Sequence, residues 1–211
     1  MYTFFSGNRQ GEAVMPSRDY LYPALLFEGG LGLSAALVGW LCGHPPWESL
    51  HWTPDAALTG AAATVPMLLG LLWIVQSRLR PVARLTEAVT ALAAQLFAGA
   101  SWLELLLVAA VAGFGEELLF RGLIQAWVEA TRGPAVGLLV ASLLFGLAHP
   151  ISLTYAVLAA GIGFYLGWLW LYSGNLLVPI VTHALYDFVA LIYLLHKHPR
   201  SAPPATDKMP L

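Results

Sequence analysis

Six long apolar stretches set the fold class of this chain. A helix needs about 20 consecutive apolar residues to cross the hydrocarbon core of a bilayer, which is about 30 Å thick. The sequence contains six windows of roughly that length, each bounded by proline, glycine or charged residues, at 21–43, 55–76, 101–130, 134–149, 151–172 and 175–195. Only 10% of the 211 residues are charged, against about a quarter in soluble domains. We therefore predict an all-α membrane protein, a polytopic bundle of about six transmembrane helices.

Two segments differ from these windows. Residues 81–100 are less apolar and carry Arg84 and Glu87, which predicts an amphipathic helix lying in the membrane interface. A short seventh span is the alternative. Residues 196–211 are polar and rich in proline, and such a segment cannot bury a core, so it is predicted to be a disordered cytoplasmic tail. Residues 1–195 are predicted to form a single transmembrane helical domain.

The basic residues predict the orientation. They cluster before the first window, after the second and after the sixth, whereas residues 44–54 contain no lysine or arginine. The residues concerned are Arg9, Arg18, Arg78, Arg80, Arg84, Lys197, Arg200 and Lys208. By the positive-inside rule both termini face the cytoplasm, with Arg132 as the one exception.

Charge and cysteine content narrow the function classes. A net charge of -2 with no basic face excludes a strongly basic nucleic-acid binder. The apolar windows make the lipid bilayer an expected partner. The single cysteine, Cys42, cannot form an internal disulfide and is expected to be a buried, inert thiol.

Few ionisable side chains lie within the windows from residue 101 onward. A charge at mid-bilayer costs about 2.5–3.5 kcal/mol, so such groups are functional candidates by default. Glu129 and Arg132 lie at a window end, and Glu104 lies three residues into its window, so these three are expected to be solvated or interfacial. The remaining candidates are Glu116, Glu117, Arg121, His149, His183 and Asp187. Glu28, in the first window, could line a cavity, but nothing beside it in the sequence suggests chemistry.

A spacing of four residues predicts two pairs. Glu117 and Arg121 share a helix face and can neutralise each other. His183 and Asp187 also share a face, so the carboxylate could fix the tautomer and orientation of the imidazole. Glu116 is turned by about 100° from its neighbour and lacks a partner, which leaves it free to take a proton. A purely structural polar cluster is the alternative.

The depth of the two histidines raises a geometric problem. Glu116 lies 17 residues before Gly133 and His149 lies 16 residues after it, so a helical hairpin places them at nearly the same depth. Counted from the turn near Ser173, however, His183 lies about 15 Å below the opposite surface. Straight helices would therefore hold the two histidines apart. Helix tilt, a break at "HP" or a fourth helix that ends inside the membrane would be needed to bring them together.

These residues carry a family resemblance. The segments "EELLFR", "FGLAH" and "HALYD" resemble, in order, the motifs EExxxR, FxxxH and HxxxN/D of the CAAX-processing and bacteriocin-processing (CPBP, also called Abi) intramembrane endoproteases. The resemblance covers residues 116–187. The flanking "FRG" and "SGNLLVPIVTHALYDF" are similar to the usual surroundings of these motifs in the family.

The resemblance implies catalytic roles for four residues. Glu116 together with His149 would activate a water for attack on a peptide carbonyl, and His183 and Asp187 would bind the oxyanion or orient the carbonyl. The eukaryotic prenyl-protein proteases carry asparagine where this chain has Asp187. A carboxylate must be protonated to donate a hydrogen bond, so this departure bears on the oxyanion role.

Supporting roles follow for four more residues. Glu117 and Arg121 would hold the helix and the neighbouring glutamate in place, while Phe120 and Phe145 would pack the cavity wall. No cofactor is expected, because structural work on the family favours glutamate chemistry. Zinc held by His149, His183 and Glu116 is the alternative.

The predicted function is an intramembrane endopeptidase that cleaves a peptide or protein substrate near its C-terminus or at the membrane boundary. The motifs HExxH, GxSG and GxGD of other intramembrane proteases are absent from the sequence. We expect a bacterial cytoplasmic membrane, where bacteriocin processing, self-immunity or removal of a C-terminal sorting helix fits better than a prenylated CAAX protein. The alternatives are a non-enzymatic membrane scaffold or immunity protein, and a proton-coupled transporter.

Overall fold

All regular structure in the described part of the chain is helical. The structure is a computed structural model that describes residues 18–197. Within this range a π-helical segment, Leu118–Gln125, lies between the fourth and fifth α-helices. The α-helices are α1 (Arg18–Leu41), α2 (Pro54–Gln76), α3 (Arg80–Phe97), α4 (Trp102–Glu117), α5 (Ala126–Arg132), α6 (Pro134–Leu147), α7 (Leu153–Ser173) and α8 (Leu177–Lys197). The predicted all-α fold is confirmed.

Local signals in the sequence explain where the helices begin and end. Thr53 caps α2 by accepting a hydrogen bond from the backbone of Ala56, with proline at the first helical position. Ser101 and Glu104 form a capping box at the start of α4. Gly133 adopts a φ of 85° between α5 and α6. Because these ends depend on nearby residues, the helices follow the six predicted windows closely.

Fewer helices are of membrane-spanning length than the six predicted windows. Within residues 18–197, four helical stretches are long and apolar enough to cross a membrane: Tyr20–Leu41, Pro54–Gln76, Leu153–Ser173 and Leu177–His196. A fifth is reached if Arg80–Phe97 and Trp102–Arg132, which meet at an angle of 114°, count as one bent span. Pro134–Leu147 is apolar but shorter. The predicted count of about six spans is therefore not confirmed, although each window contains helix.

Two further expectations concern the ends of the helices. Cys42 is exposed, so the expectation of a buried thiol was wrong; it directly follows α1, whose last residues Trp40 and Leu41 are themselves exposed. The helix α8 extends to Lys197. The rest of the predicted tail, residues 198–211, lies outside the described residues, as do Arg9, Arg200 and Lys208.

Small residues let the helices around α8 approach closely. The α8 helix packs against α2 and α4, and α4 packs in turn against α1. A side chain at Gly113 would meet the backbone of Ala184 on α8, and a side chain at Gly115 would clash with the carbonyl oxygen of Glu28 on α1. Small residues are the usual means of close helix packing in membranes. This packing places the polar residues of α1, α4 and α8 at one location.

Candidate active site

The π-helical segment carries two fully buried polar side chains, Arg121 and Gln125. The Arg121 Nη2 donates to the Gly163 carbonyl at 2.8 Å, and the Gln125 Nε2 donates to the Gly167 carbonyl at 3.2 Å. Both acceptors lie on α7, one helical turn apart. These two bonds hold the π segment against α7. Such local departures from α geometry are frequent at functional sites.

Glu117 is the centre of a buried ionic cluster. Its carboxylate is fully buried, and its Oε1 accepts a hydrogen bond from Arg121 Nη1 at 2.7 Å. The same oxygen accepts a second bond from His183 Nδ1 at 2.9 Å. The pair predicted from the four-residue spacing is therefore formed. The bond to His183, which joins α4 to α8, was not predicted.

The second nitrogen of His183 faces another carboxylate. His183 Nε2 lies 3.4 Å from Asp187 Oδ2, one turn further along α8. The imidazole is almost fully buried, whereas the Asp187 side chain is 30% exposed. The predicted contact between this ring and this carboxylate is therefore present, but it is longer than the contact between Nδ1 and Glu117. The hydrogen bond to Glu117 therefore fixes the imidazole more strongly than the contact with Asp187 does.

His149 reaches the site because α6 is short. With 14 residues, α6 spans about 21 Å, less than the thickness of a bilayer core. The His149 Nδ1 donates to the Phe145 carbonyl at 2.7 Å, so in the neutral ring the lone pair lies on Nε2. The ring centroids of His149 and Phe145 are 4.7 Å apart, and those of Phe145 and His183 are 5.8 Å apart. Both imidazoles thus contact the same phenyl ring. The two histidines are therefore brought together where α6, the helix of the fourth predicted window, ends.

Glu116 faces a cavity rather than the ionic cluster. It is only 9% exposed, and its Oε2 is buried without a hydrogen-bond partner. The cavity has a volume of about 520 Å³, and Asp187 also lines it. Among the described contacts, no hydrogen bond joins Glu116 to His149. Tyr155 lies near both, since it lines the cavity and its ring centroid is 5.6 Å from that of His149.

The two predicted phenylalanines pack against each other. The rings of Phe120 and Phe145 meet edge to face with centroids 5.0 Å apart, and neither residue is among the described lining of the cavity. The guanidinium carbon of Arg121 lies 4.7 Å from the centroid of the Phe145 ring. Phe145 therefore contacts Arg121, His149 and His183 at once, and its position supports their geometry.

Sequence reasoning missed three residues near the site. Tyr155 and Tyr186 line the cavity beside Glu116, and Gln125 supports the π segment. Glu28 lines the same cavity, as its place in an otherwise apolar window suggested, although the sequence assigned it no chemistry. No comparable signal marks the tyrosines, because tyrosine is common at membrane interfaces in any case.

The described residues do not form an evident metal site. In residues 18–197 no group of three or more histidine, cysteine, aspartate or glutamate side chains is arranged to hold a metal ion. Both nitrogens of His183 face carboxylates and His149 Nδ1 is bonded to a backbone carbonyl. The three residues of the zinc alternative therefore do not fit a shared ion in this arrangement, and we derive no step through a metal.

Comparisons with known proteins bear on the same segment. Residues 98–189 match the family model described as type II CAAX prenyl endopeptidase Rce1-like. The chain is 33% identical over 90 residues to the uncharacterized protein YpbD of Bacillus subtilis strain 168. That alignment covers 41% of this chain and 43% of the relative, so the chain matches less than half of the length of this relative. No solved structure matches the chain.

The matched segment contains all three motifs and every predicted catalytic residue. The long apolar helices support an integral membrane protein, and the family that residues 98–189 match is one of proteases. The resemblance drawn from the motifs, to the CAAX-processing and bacteriocin-processing intramembrane endoproteases, is thereby confirmed over residues 98–189.

Proposed function

We propose that the protein is an intramembrane endopeptidase in which Glu116 activates a water molecule. One observation carries this proposal: Glu116 has a buried, unpartnered carboxyl oxygen at the wall of a cavity large enough for a peptide segment. The other acidic residues of the motifs each have a cationic partner, although Glu117 Oε2 is also without a hydrogen bond. Glu117 is bonded to Arg121 and His183, and Asp187 faces His183.

The first step is attack of water on the peptide carbonyl. Glu116 takes a proton from a water in the cavity, and the lone pair of His149 Nε2 offers that water a second acceptor. The oxygen of the water then bonds to the carbonyl carbon. A positioned general base of this kind typically contributes about 10²–10⁴-fold in rate. As the C–N bond breaks, Glu116 returns the proton to the leaving amine.

The second component is a donor for the oxyanion. His183 is oriented by the short bond to Glu117, whose charge is balanced by Arg121. The Nε2–H of a doubly protonated ring points toward Asp187 at a long 3.4 Å, so it can turn to a developing oxyanion at little cost. Asp187 then serves to orient the ring, a role for which a carboxylate does not need to be protonated.

The position of the cavity supports access from one membrane face. Its lining comes from the N-terminal half of α1, the C-terminal end of α2 and the C-terminal half of α8. Residues of α3, α4 and α7 also line it, while Arg84 and Glu87 on α3 are exposed. We propose that α3 is the interfacial helix of a six-span bundle and covers a cavity that opens to the cytoplasm.

The substrate is proposed to be a membrane-associated peptide or protein cleaved near its C-terminus or at the membrane boundary. In a bacterial cytoplasmic membrane this corresponds to bacteriocin processing or removal of a C-terminal sorting helix. Comparing membranes of a strain with and without the protein tests this directly. An uncleaved precursor that accumulates only in the deletion strain identifies the substrate.

Variants test the mechanism. Purified Glu116→Gln, His149→Ala and His183→Ala proteins are compared with Glu87→Gln, which changes an exposed glutamate outside the cavity. We expect each of the first three to lose about 10²-fold or more in cleavage rate and the control to keep wild-type activity. Cleavage that survives in all three variants contradicts the proposed function.

A non-enzymatic scaffold or immunity protein is the second candidate. The observation that favours it is the fully buried cluster of Glu117, Arg121 and His183, which ties α4, the π segment, α7 and α8 together. The two candidates differ in their dependence on Glu116, which lies outside that cluster. A scaffold retains its biological phenotype in the Glu116→Gln variant, whereas a protease loses it.

A further inference from the structure

Glu28 is an ionisable residue that the proposed mechanism does not use. It lies in the N-terminal half of α1, outside the three motifs, and its Oε2 is buried without a hydrogen-bond partner. The α1 helix touches α4 at this residue, because Gly115 leaves room for the Glu28 carbonyl. The residue next to Gly115 is Glu116. Helix packing therefore places both carboxyl groups on the wall of the same cavity.

Two carboxyl groups of this cavity, those of Glu28 and Glu116, have a buried oxygen without a hydrogen-bond partner, whereas Asp187 faces His183. Glu28, Glu116 and Asp187 all line it, and its lining among the described residues includes no lysine, arginine or histidine. The basic groups nearby have other described partners: Arg121 and His183 are both bonded to Glu117, and His149 Nδ1 is bonded to the Phe145 carbonyl. Glu116 lines the cavity and is nine-tenths buried, and its Oε2 has no hydrogen-bond partner. Buried carboxylates without a partner are unfavourable, so the cavity is suited to a ligand that brings a positive charge.

The remaining lining describes the rest of the ligand. Apart from the three carboxyl groups it consists mainly of aliphatic and aromatic side chains. A volume of about 520 Å³ lies within the range of sites that enclose a small ligand or a few residues of a peptide. An apolar peptide segment with one basic side chain matches both properties. The stem of a lysine can pack on the apolar wall while its ammonium group reaches a carboxylate.

We propose that Glu28 is a substrate-specificity residue, which binds a lysine or arginine side chain of an otherwise apolar segment in this cavity. The inference deepens the proposed function and rests on it, because the segment bound is the substrate of the protease. Glu116 remains the base, and Glu28, on a different helix, recognises the basic residue near the bond to be cleaved.

Peptide binding tests the proposal without requiring cleavage. The probes are acetyl-Leu-Leu-Lys-Leu-Leu-amide and the same peptide with norleucine in place of lysine, which removes only the charged group. Binding is measured on purified wild type, Glu28→Gln and Glu87→Gln in one neutral detergent. Glu87 is the matched control, since it is an exposed glutamate on α3, outside the cavity lining. For each protein the affinity for the lysine peptide is divided by that for the norleucine peptide. Comparing this ratio between variants cancels any difference in how the two peptides partition into detergent micelles.

We expect wild type and Glu87→Gln to bind the lysine peptide about tenfold or more tightly than the norleucine peptide, as for a hydrogen bond to a charged group. Glu28→Gln should lose most of that preference and keep its affinity for the norleucine peptide, which also reports correct folding. Glu28→Asp, which keeps the charge, should retain part of the preference.

Two results overturn the proposal: no lysine preference in wild type, or a preference unchanged in Glu28→Gln. If Glu28→Gln does not fold, wild type is compared with Glu28→Asp instead. The aspartate side chain is one methylene group shorter, so an equally large lysine preference in both proteins would contradict direct contact with Glu28. Failure here is distinct from failure of the proposed function, which is read from cleavage by the Glu116→Gln variant.

Discussion

Removing Arg121 should destabilise the protein strongly, because it leaves the Glu117 carboxylate buried with one partner fewer. Both side chains are fully buried, and Arg121 bonds Glu117 at 2.7 Å and the Gly163 carbonyl at 2.8 Å. Breaking a buried ion pair by removing one partner costs about 3–5 kcal/mol. Since His183 still donates to Glu117 at 2.9 Å, we expect Arg121→Met to lie near 3 kcal/mol, or roughly 10 °C in unfolding temperature for a chain of this size.

The measurement is a double-mutant cycle in a fixed neutral detergent, followed by near-ultraviolet circular dichroism during unfolding. It compares Arg121→Met, Glu117→Gln and the double variant with wild type. The double variant should be less destabilised than the sum of the singles by about 1 kcal/mol or more, because it leaves no uncompensated charge. The matched control is Arg132→Met, which removes an exposed arginine at the end of α5 and should cost less than about 0.5 kcal/mol.

The reasoning is refuted if Arg121→Met is no more harmful than Arg132→Met. It is refuted equally if the destabilisations caused by Glu117→Gln and Arg121→Met add in full, because full additivity would mean that the two residues do not interact. A fall in activity without any fall in stability would place Arg121 in the chemistry and not in the support of Glu117.

Three further predictions address packing and chemistry. Gly115→Ala should destabilise the protein and reduce cleavage, because its methyl group would clash with the Glu28 carbonyl. The control Gly70→Ala, at a position with open space around it, should be neutral or stabilising by up to about 1 kcal/mol. Thermal unfolding of both variants measures the difference. Phe145→Leu should lower the cleavage rate more than expected from its stability loss, because the ring stacks on His149 at 4.7 Å; an unchanged rate would contradict a positioning role. Glutamate chemistry predicts that the chelator 1,10-phenanthroline leaves the cleavage rate unchanged and that active protein contains no stoichiometric zinc. Detection of one zinc ion per active protein by metal analysis would contradict it.

The helices were largely predictable because their signals are local. Apolar stretches of membrane-spanning length, interrupted by glycine, proline and polar residues, mark where helices lie and end. The capping box at Ser101 and Glu104 and the positive φ of Gly133 follow from neighbouring residues. The short α6 also follows the predicted window 134–149, whereas no local pattern predicted the π geometry of Leu118–Gln125.

The site was predictable in its membership more than in its contacts. Charged residues in apolar helices are costly enough that their presence alone marks Glu116, Glu117, Arg121 and Asp187. The pair Glu117 and Arg121 follows from one turn of helix. The bond from His183 to Glu117 joins residues 66 positions apart, and no local pattern determines such a contact.

The sequence by itself thus determined a helical membrane protein, the positions of its helices and the polar side chains that they carry. These properties depend on apolar length and on neighbours within one or two turns. The tertiary structure alone decided that Phe145 of α6 contacts His183, that His183 bonds Glu117, and that Glu28 lines the same cavity as Glu116. The physical reason is that these contacts arise from close packing between helices, permitted at Gly115 by the absence of a side chain, and packing of this kind joins residues that are distant in the chain.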